Sequence, residues 1–201
     1  MITKRQREIV TGTILGDAYI QLTGKQNARL RFEHGEKQKD YISWKWTELK
    51  NLMQDKPKKI TRYNPIWKRV YTYYRCQSYS SPIFGKLRRM FYCDSKKVIP
   101  SNFGKLLKSG LSLAVWFMDD GYYYHRDRTA YIYLSKFSKE GLATLVRVLK
   151  DNFNLESKVE IKKRGENINL KFSVTETEKL VNLIKADVIP SMRYKLPKSI
   201  K

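Results

Sequence analysis

The segments VTGTILGDA, residues 10–18, and LAVWFMDDG, residues 113–121, each predict an apolar helix that ends in an acidic residue. These helices run from Ile9 to Asp17 and from Leu111 to Asp120. A carboxylate at the C-terminal end of a helix faces the negative end of the helix dipole, which costs ~0.3–1 kcal/mol. A divalent cation shared by both carboxylates offsets this cost, since Mg²⁺ prefers oxygen ligands. From these residues alone, an ordinary helix end with an exposed aspartate remains the alternative.

Two glycines in the first helix indicate close packing against another element. Gly12 and Gly16 lie four residues apart on one face of that helix. A glycine inside a helix costs about 1 kcal/mol relative to alanine unless close backbone packing needs it. A second helix packed on this face would bring Asp17 and Asp120 together.

An internal repeat divides the chain into two similar halves. VIPSNFGKL at residues 98–106 and VIPSMRYKL at residues 188–196 agree at six of nine positions and lie 90 residues apart in a chain of 201. A repeat over this distance indicates a duplicated architecture. We therefore predict an N-terminal domain at residues 1–106 and a C-terminal domain at residues 107–201.

Each half is predicted to fold as αββαββα, which makes the protein an α/β (α+β) chain of two pseudo-symmetric halves. The first half has predicted strands at residues 18–22, 28–33, 58–63 and 68–77, and helices at 39–54 and 82–92. The second half has predicted strands at 121–125, 129–135, 158–163 and 167–173, and helices at 138–153 and 175–186.

Alternation along these strands assigns one face to the core and the other to a polar, mostly basic surface. In residues 167–173, for example, Ile168, Leu170 and Phe172 alternate with polar neighbours. A solvated surface explains any single strand, but the same pattern in two halves favours nucleic acid, since Arg and Lys contact phosphates and base edges. The predicted DNA contacts are Gln21, Arg29, Arg31, Glu33, Arg69, Tyr71, Tyr73, Arg75, Tyr131, Tyr133, Lys158, Lys162, Asn167, Asn169 and Lys171.

The composition points to the same class of partner. The 41 Lys+Arg against 19 Asp+Glu give a formal charge of +22, which favours binding to polyanions. The chain is 41% hydrophobic and 13% aromatic, too rich in core residues for a disordered basic tail. Its longest apolar run, residues 113–118, is six residues long against about 20 for a membrane-spanning helix, so no membrane partner is expected. Cys76 and Cys93 lack a metal-binding spacing and are interpreted as free thiols.

The two helical segments resemble the paired signature helices of the LAGLIDADG homing endonucleases. WFMDDG at residues 116–121 and YKLP at residues 194–197 are similar to the single-chain, intron-encoded type, and the resemblance covers nearly the whole chain. It implies that the signature helices pack together between the halves. It also implies that each half carries a four-stranded antiparallel sheet, shaped as a DNA-binding saddle. The activity implied is site-specific cleavage of a long asymmetric duplex, with one phosphodiester hydrolysed in each strand.

The resemblance also implies the metal-binding residues. The acids at the penultimate positions of the two motifs, Asp17 and Asp120, bind divalent metal together with the backbone near Gly16 and Asp119. Asp119 occupies the position of Gly16 in the first motif, so we expect it to tune the site. Val115 likewise replaces Gly12, so the small-residue contact typical of the family is present on one helix only and the helices are expected to cross asymmetrically.

Two lysines complete the catalytic residues that the resemblance implies. Lys195, in the YKLP segment, is expected near one scissile phosphate, and Lys97 is its family counterpart in the first half. The internal repeat aligns Lys105 with Lys195 instead, so both candidates stay open. Metal-activated water is the expected nucleophile, with Mg²⁺ as cofactor, Ca²⁺ binding without cleavage and Mn²⁺ as a substitute.

Three further residues are considered for a role near the site or on the surface. His34 and His125, the two histidines of the chain, lack a metal-ligand pattern and are expected to contact DNA or to lie on the surface. Glu33, on the polar face of its strand, is a candidate for ordering water near the first acid.

Two functions are compatible with this sequence. Retention of both acids favours a DNA endonuclease; the alternative is an RNA maturase or another non-cleaving nucleic-acid-binding protein on the same scaffold. Double-stranded DNA is the expected partner, with the RNA of the host intron as a second one, and the protein is expected to be a monomer with pseudo-two-fold symmetry. An intracellular location is expected, in an organelle or in a prokaryotic cytoplasm.

Overall fold

The computed structural model describes residues 2–134, 136–162 and 167–198 and has the predicted mixed α/β architecture. The first half contains α1 (Lys4–Leu15), β1 (Tyr19–Leu22), β2 (Ala28–Gly35), α2 (Lys39–Glu48), β3 (Lys58–Asn64), β4 (Arg69–Gln77), α3 (Pro82–Phe91), β5 (Tyr92–Cys93) and β6 (Lys96–Lys97). The second half contains α4 (Gly110–Asp120), β7 (Gly121–Tyr124), β8 (Thr129–Leu134), α5 (Lys139–Phe153), β9 (Lys158–Lys162), β10 (Asn167–Phe172) and α6 (Val174–Ile184). Short 3₁₀ helices span Glu36–Gln38, Lys50–Leu52, Phe103–Lys105 and Pro190–Lys195.

The two halves contain four-stranded antiparallel sheets with the same strand order, β1-β2-β4-β3 and β7-β8-β10-β9. Tyr19 and Tyr122 each lie two residues after the acid of their motif. Tyr19 is paired with Arg31 and Tyr122 with Tyr131, so the registers of the two sheets are equivalent too. These features confirm the predicted fold of two similar halves. The domain boundary after residue 106 stays a prediction.

The helices α1 and α4, which belong to different halves, pack directly against each other. A Cβ atom added at Gly12 would lie 2.8 Å from the Cβ of Val115, and one added at Gly16 would lie 2.8 Å from the Cγ of Asp119. Neither space accepts a methyl group, so the two glycines of α1 create the room that the larger residues of α4 fill. The contact is therefore asymmetric in composition, since glycines of α1 face larger residues of α4.

The hydrophobic core is continuous across the two halves. All six residues from Leu113 to Met118 on α4 are fully buried. Complete burial of a side chain such as Phe117 stabilises the fold by roughly 1.5–3 kcal/mol. Since α4 contributes this core segment and also ends in the second motif acid, the position of Asp120 depends on core packing.

Two helix boundaries differ from the predictions by more than two residues. The first helix begins at Lys4 and not at Ile9, because Thr3 and Gln6 form a capping box that starts it in a polar turn. The helix predicted at residues 39–54 ends at Glu48, since Met53 leaves the helical path to bridge Ser78 beside the first sheet. No helix within the described residues has the length and apolarity needed to cross a membrane.

Candidate active site

Three carboxylates and three lysines surround the C-terminal ends of α1 and α4. The carboxylates belong to Asp17, Asp119 and Asp120, and the lysines are Lys45, Lys97 and Lys195. The backbone N–H of Asp17 donates to the Oδ2 atom of Asp119 at 3.3 Å, which joins the two motifs directly. The C-terminal ends of the two motif helices therefore meet in the structure, as the glycines of α1 predicted.

Two of the lysines occupy equivalent positions. The Nζ atom of Lys97 donates to the carbonyl oxygen of Gly16 at 2.6 Å, and that of Lys195 donates to the carbonyl oxygen of Asp119 at 2.8 Å. Each lysine thus places positive charge at the end of the motif helix in its own half, where the helix dipole favours a cation. Lys105 is exposed on a 3₁₀ helix, so the structure places Lys97, and not Lys105, opposite Lys195.

Different local structures bring these two lysines to the site. Lys97 ends a short hairpin of β5 and β6, whose turn residues Asp94 and Ser95 both have positive φ, 45° and 67°. A two-residue hairpin turn requires this geometry, which usually selects Asn-Gly or Asp-Gly. Because Asp-Ser is a weak signal for it, the hairpin was not predicted. Lys195 is carried by the 3₁₀ helix Pro190–Lys195.

The two motif acids hold their protons more tightly than ordinary aspartates. Burial, reinforced by the negative charge of Asp119, raises the pKa of Asp17 to about 6. Burial and the charges of Asp119 and Asp17 raise the pKa of Asp120 to about 7. Burial also lowers the pKa of the Lys97 and Lys195 ammonium groups. Ionisation of the two buried carboxyl groups is therefore unfavourable in the free protein.

A hard divalent cation fits this set of donors. Asp17 and Asp120 offer carboxylate oxygens, and the backbone at Gly16 and Asp119 offers carbonyl oxygens, which are the ligands that Mg²⁺ prefers. The raised pKa values of both acids show that an added cation would relieve an unfavourable charge distribution. The metal-binding residues expected from the sequence are thus chemically suited to Mg²⁺.

A second, more deeply buried group of charges lies beside Asp17. The Nζ atom of Lys45 lies 2.7 Å and 3.0 Å from the two carboxylate oxygens of Asp119, and 3.2 Å from the Nε2 atom of His34. The side chains of Lys45 and Asp119 are fully buried, and that of His34 is 1% exposed. Potential ligand atoms of Asp17, His34 and Asp119 lie within 4.8 Å of one another, but the Lys45 ammonium already supplies the cation among them.

His34 and Lys45 are the residues whose place in the site the sequence interpretation missed. His34 was expected on the surface or on DNA; the structure instead buries it, because it occupies a core-facing position of β2. Lys45 lies one helical turn after the buried Tyr41 on α2. A lysine on the apolar face of a helix was the available signal, since such a residue needs a buried counter-ion. His125 is exposed, as expected.

The first sheet presents its predicted DNA contacts on one face. Strand pairing aligns Gln21 with Arg29, Glu33 with Arg75, and Arg69 and Tyr71 with β3 residues of the same parity. All eight predicted positions alternate with residues of the opposite face: Gln21, Arg29, Arg31, Glu33, Arg69, Tyr71, Tyr73 and Arg75. The structure adds Lys58 and Arg62 from β3 to this surface.

Glu33 is paired with two arginines on the polar face of the first sheet. Its carboxylate accepts from Arg62 at 2.9 Å and from Arg75 at 2.9 Å, so it holds two arginines in place on the sheet. Charge-assisted bonds of this kind fix the orientation of guanidinium groups. Glu33 therefore organises the basic surface, and its ordering of water near the first acid stays a prediction.

The second sheet is more aromatic than basic. Tyr131 and Tyr133 are joined on the same face by Tyr122, which the sequence interpretation omitted. Lys158, on the edge strand β9, lies opposite Lys171 on β10 in the strand register. Asn169 was expected to contact DNA, but only 3% of its surface is exposed because tyrosines surround it. The side chains of Lys162 and Asn167 lie outside the described residues.

Comparison with known proteins adds independent support for the relationship indicated by the two motifs. A family model for the LAGLIDADG DNA endonuclease family matches residues 7–180. "Probable intron-encoded endonuclease 1" of Wickerhamomyces canadensis is 30% identical over 200 residues, which cover 97% of this chain and 85% of that protein. "Cytochrome b mRNA maturase bI2" of Debaryomyces hansenii is 25% identical over 97% of this chain and 74% of its own length.

Among solved structures, the homing endonuclease I-WcaI bound to its DNA recognition sequence superposes with a TM-score of 0.88. The match has 28% sequence identity and covers 98% of this chain and 88% of the other. The strand order, the paired motif helices and the family match over most of the chain agree. The protein therefore belongs to the LAGLIDADG DNA endonuclease family.

Proposed function

We propose that the protein is a site-specific endonuclease that cuts both strands of duplex DNA with the help of Mg²⁺. The observation that carries this proposal is the paired arrangement at the ends of α1 and α4, where each half supplies one acid and one lysine. A pair of equivalent sites suits a duplex, whose two strands are related by an approximate two-fold axis. The relatives named as endonucleases and the DNA-bound I-WcaI support the same conclusion.

The two sheets are suited to holding the duplex. The first offers arginines from β2, β3 and β4 on one face, and the second offers tyrosines with lysines at the edge. Arginine and lysine contact phosphates in any sequence, whereas bidentate arginine contacts and polar side chains read base edges in the major groove. Since the two faces differ in chemistry, the preferred target is an asymmetric sequence.

In this proposal Asp17 and Asp120 hold the metal together with the carbonyl oxygens at Gly16 and Asp119. Mg²⁺ bound there supplies Lewis-acid stabilisation of the phosphate and lowers the pKa of a water molecule. Lys97 and Lys195 lie within hydrogen-bonding distance of the same backbone carbonyls. From this position their ammonium groups donate to a phosphate oxygen and balance the negative charge of the three aspartates.

An RNA maturase is the second candidate function, favoured by the maturase relative from Debaryomyces hansenii. The basic faces bind RNA phosphates as readily as those of DNA, so affinity alone does not separate the two functions. The paired acids do separate them, because a protein that only binds RNA has no need for buried carboxylates with raised pKa values.

The experiment compares duplexes from the intronless and the intron-containing alleles of the host gene, each with Mg²⁺ and with Ca²⁺. We expect both strands of the intronless duplex to be cut with Mg²⁺ only. Asp17→Asn and Asp120→Asn should each abolish double-strand cleavage and leave DNA binding largely intact. Asp127→Asn is the matched control, because Asp127 is exposed in the β7–β8 turn. Tight binding to the intron RNA without any cut would favour the maturase, and wild-type double-strand cleavage by either acid variant would refute the site.

A further inference from the structure

The buried histidine and lysine beside Asp17 both come from the first half of the chain. Equivalent registers in the two sheets make Phe32 correspond to Ile132, and hence His34 to Leu134. α2 and α5 begin at Lys39 and Lys139, so Lys45 and Leu145 occupy the same position in their helices. The second half therefore has two leucines where the first has a histidine and a lysine.

Asp119 continues this asymmetry along the motif helices. It takes the place of Gly16, and its carboxylate lies against that glycine in the structure. Three polar residues thus meet beside Asp17, and their counterparts beside Asp120 are two leucines and a glycine. These three residues are not isolated surface differences between the halves, because their side chains are buried and form one connected group.

The donors and acceptors in this cluster determine which ring nitrogen of His34 carries the proton. The ammonium of Lys45 has donors only, so the Nε2 atom of His34, at 3.2 Å, must accept. The ring proton therefore resides on Nδ1, which lies 3.1 Å from the Oε1 atom of Gln38 and 3.4 Å from the Oδ2 atom of Asp17. Burial and the neighbouring Lys45 charge lower the pKa of His34 to about 3, in agreement with a neutral ring.

We propose that Lys45 and His34 are positioning residues for Asp17 alone, linking its carboxylate to Asp119 and making the two strand-cutting sites unequal. Lys45 anchors the chain of contacts on Asp119, and His34 extends it to Asp17. Asp119 also accepts the backbone N–H of Asp17, so the carboxylate is oriented from both its side chain and its main chain. Asp120 has no such support from Leu134 and Leu145. This inference rests on the proposed endonuclease function.

The main test is a strand-resolved cleavage assay with His34→Leu, which introduces the residue found in the other half and leaves the Lys45–Asp119 ion pair intact. The substrate is the intronless duplex with a different fluorophore on each strand. Asp17→Asn and Asp120→Asn first identify the strand that depends on each acid. His34→Leu should slow the Asp17-dependent cut by about 10- to 100-fold, as typically found for residues that orient metal ligands. The Asp120-dependent cut should change less than twofold, so nicked DNA should accumulate.

Two variants separate positioning from folding. Lys45→Met would leave Asp119 as an unpaired buried charge, so the double variant Lys45→Met/Asp119→Asn is used to remove both charges together. It should fold with a cooperative transition and show the same one-strand defect. His34→Asn keeps an N–H donor near the Nδ1 position and should restore part of the lost rate. Lys50→Met, which removes an exposed lysine just after α2, is the matched control and should cut both strands normally.

A measurement without DNA distinguishes failure of this inference from failure of the proposed function. The chain has two histidines, so ¹⁵N imidazole spectra, assigned with His125→Gln, resolve His34. We expect the neutral Nδ1–H form, with a larger shift on Asp17→Asn than on Asp120→Asn. Equal slowing of both strands by His34→Leu, or the Nε2–H form in the spectra, would overturn the positioning role. If the wild type cuts no duplex with any divalent cation, the endonuclease proposal fails and the spectra alone decide the coupling.

Discussion

Asp120→Asn should make the free protein more stable at neutral pH, because it removes a poorly compensated buried charge. The pKa of Asp120 rises from 3.8 to about 7, through burial first and the charges of Asp119 and Asp17 second. One pKa unit corresponds to about 1.4 kcal/mol, so ionisation of this carboxyl costs the fold about 4 kcal/mol at pH 8. Asparagine resembles the neutral acid and avoids this cost.

The sign of the pH dependence follows from the direction of the shift. The carboxyl binds its proton more tightly in the folded than in the unfolded chain, so its contribution to stability is complete below pH 3.8. That contribution is lost as the pH rises towards about 7. The stability difference between Asp120→Asn and the wild type should therefore be near zero at pH 4, grow up to pH 7 and be constant above pH 8.

Urea unfolding, followed by tryptophan fluorescence in the presence of EDTA, measures this difference at several pH values. Trp116 is fully buried in α4 and reports directly on the helix that carries Asp120. Asp127→Asn is the control and should alter stability by less than about 0.5 kcal/mol at any pH. Added Mg²⁺ should stabilise the wild type more than the variant, because only the wild type retains both acids. A gain below about 0.5 kcal/mol at pH 8, or an equal gain at pH 5 and pH 8, would refute the reasoning.

Three further predictions concern the helix interface and the basic sheet. Gly16→Ala should destabilise the protein by about 1–3 kcal/mol in urea unfolding, since its methyl group would collide with Asp119, whereas Gly24→Ala, in open space, should not. Glu33→Gln should release two arginines and bring the affinities for target and random duplexes closer together in a competition assay; unchanged discrimination would contradict the role of Glu33. Arg69→Ala should weaken binding to all duplexes alike and reduce the slope of log K against log[salt] by about 0.9, the contribution of one phosphate contact, and an unchanged slope would contradict that contact.

The features that sequence predicted well are those encoded by local pattern. The apolar helices with terminal acids and the alternating strands each reveal themselves within a dozen residues, so the fold and the position of Asp17 and Asp120 followed directly. Gly12 and Gly16 indicated the helix contact because glycine has few other uses inside a helix. These signals depend on the local geometry of one segment and not on its contacts with distant segments.

The features that sequence did not predict depend on contacts between distant segments. Lys45 and Asp119 are 74 residues apart, and nothing near either residue identifies its partner. Strand alternation places His34 on the core face of β2. Because a buried position conflicted with its polar side chain, His34 was wrongly assigned to the surface or to DNA. Asn169 follows the alternation correctly, but its burial depends on the size of the tyrosines on the neighbouring strands.

The ion pair between Lys45 and Asp119 crosses from one half of the chain to the other, which has a consequence for hybrid proteins. A hybrid that joins this N-terminal half to a relative's C-terminal half inherits a buried ammonium that requires an acid at the facing position. A C-terminal half with glycine there would leave that ammonium without a counter-ion, and the hybrid would be unstable whatever its DNA contacts. Exchange of halves, in evolution or in the laboratory, is thus restricted to partners with matching charges at this one position.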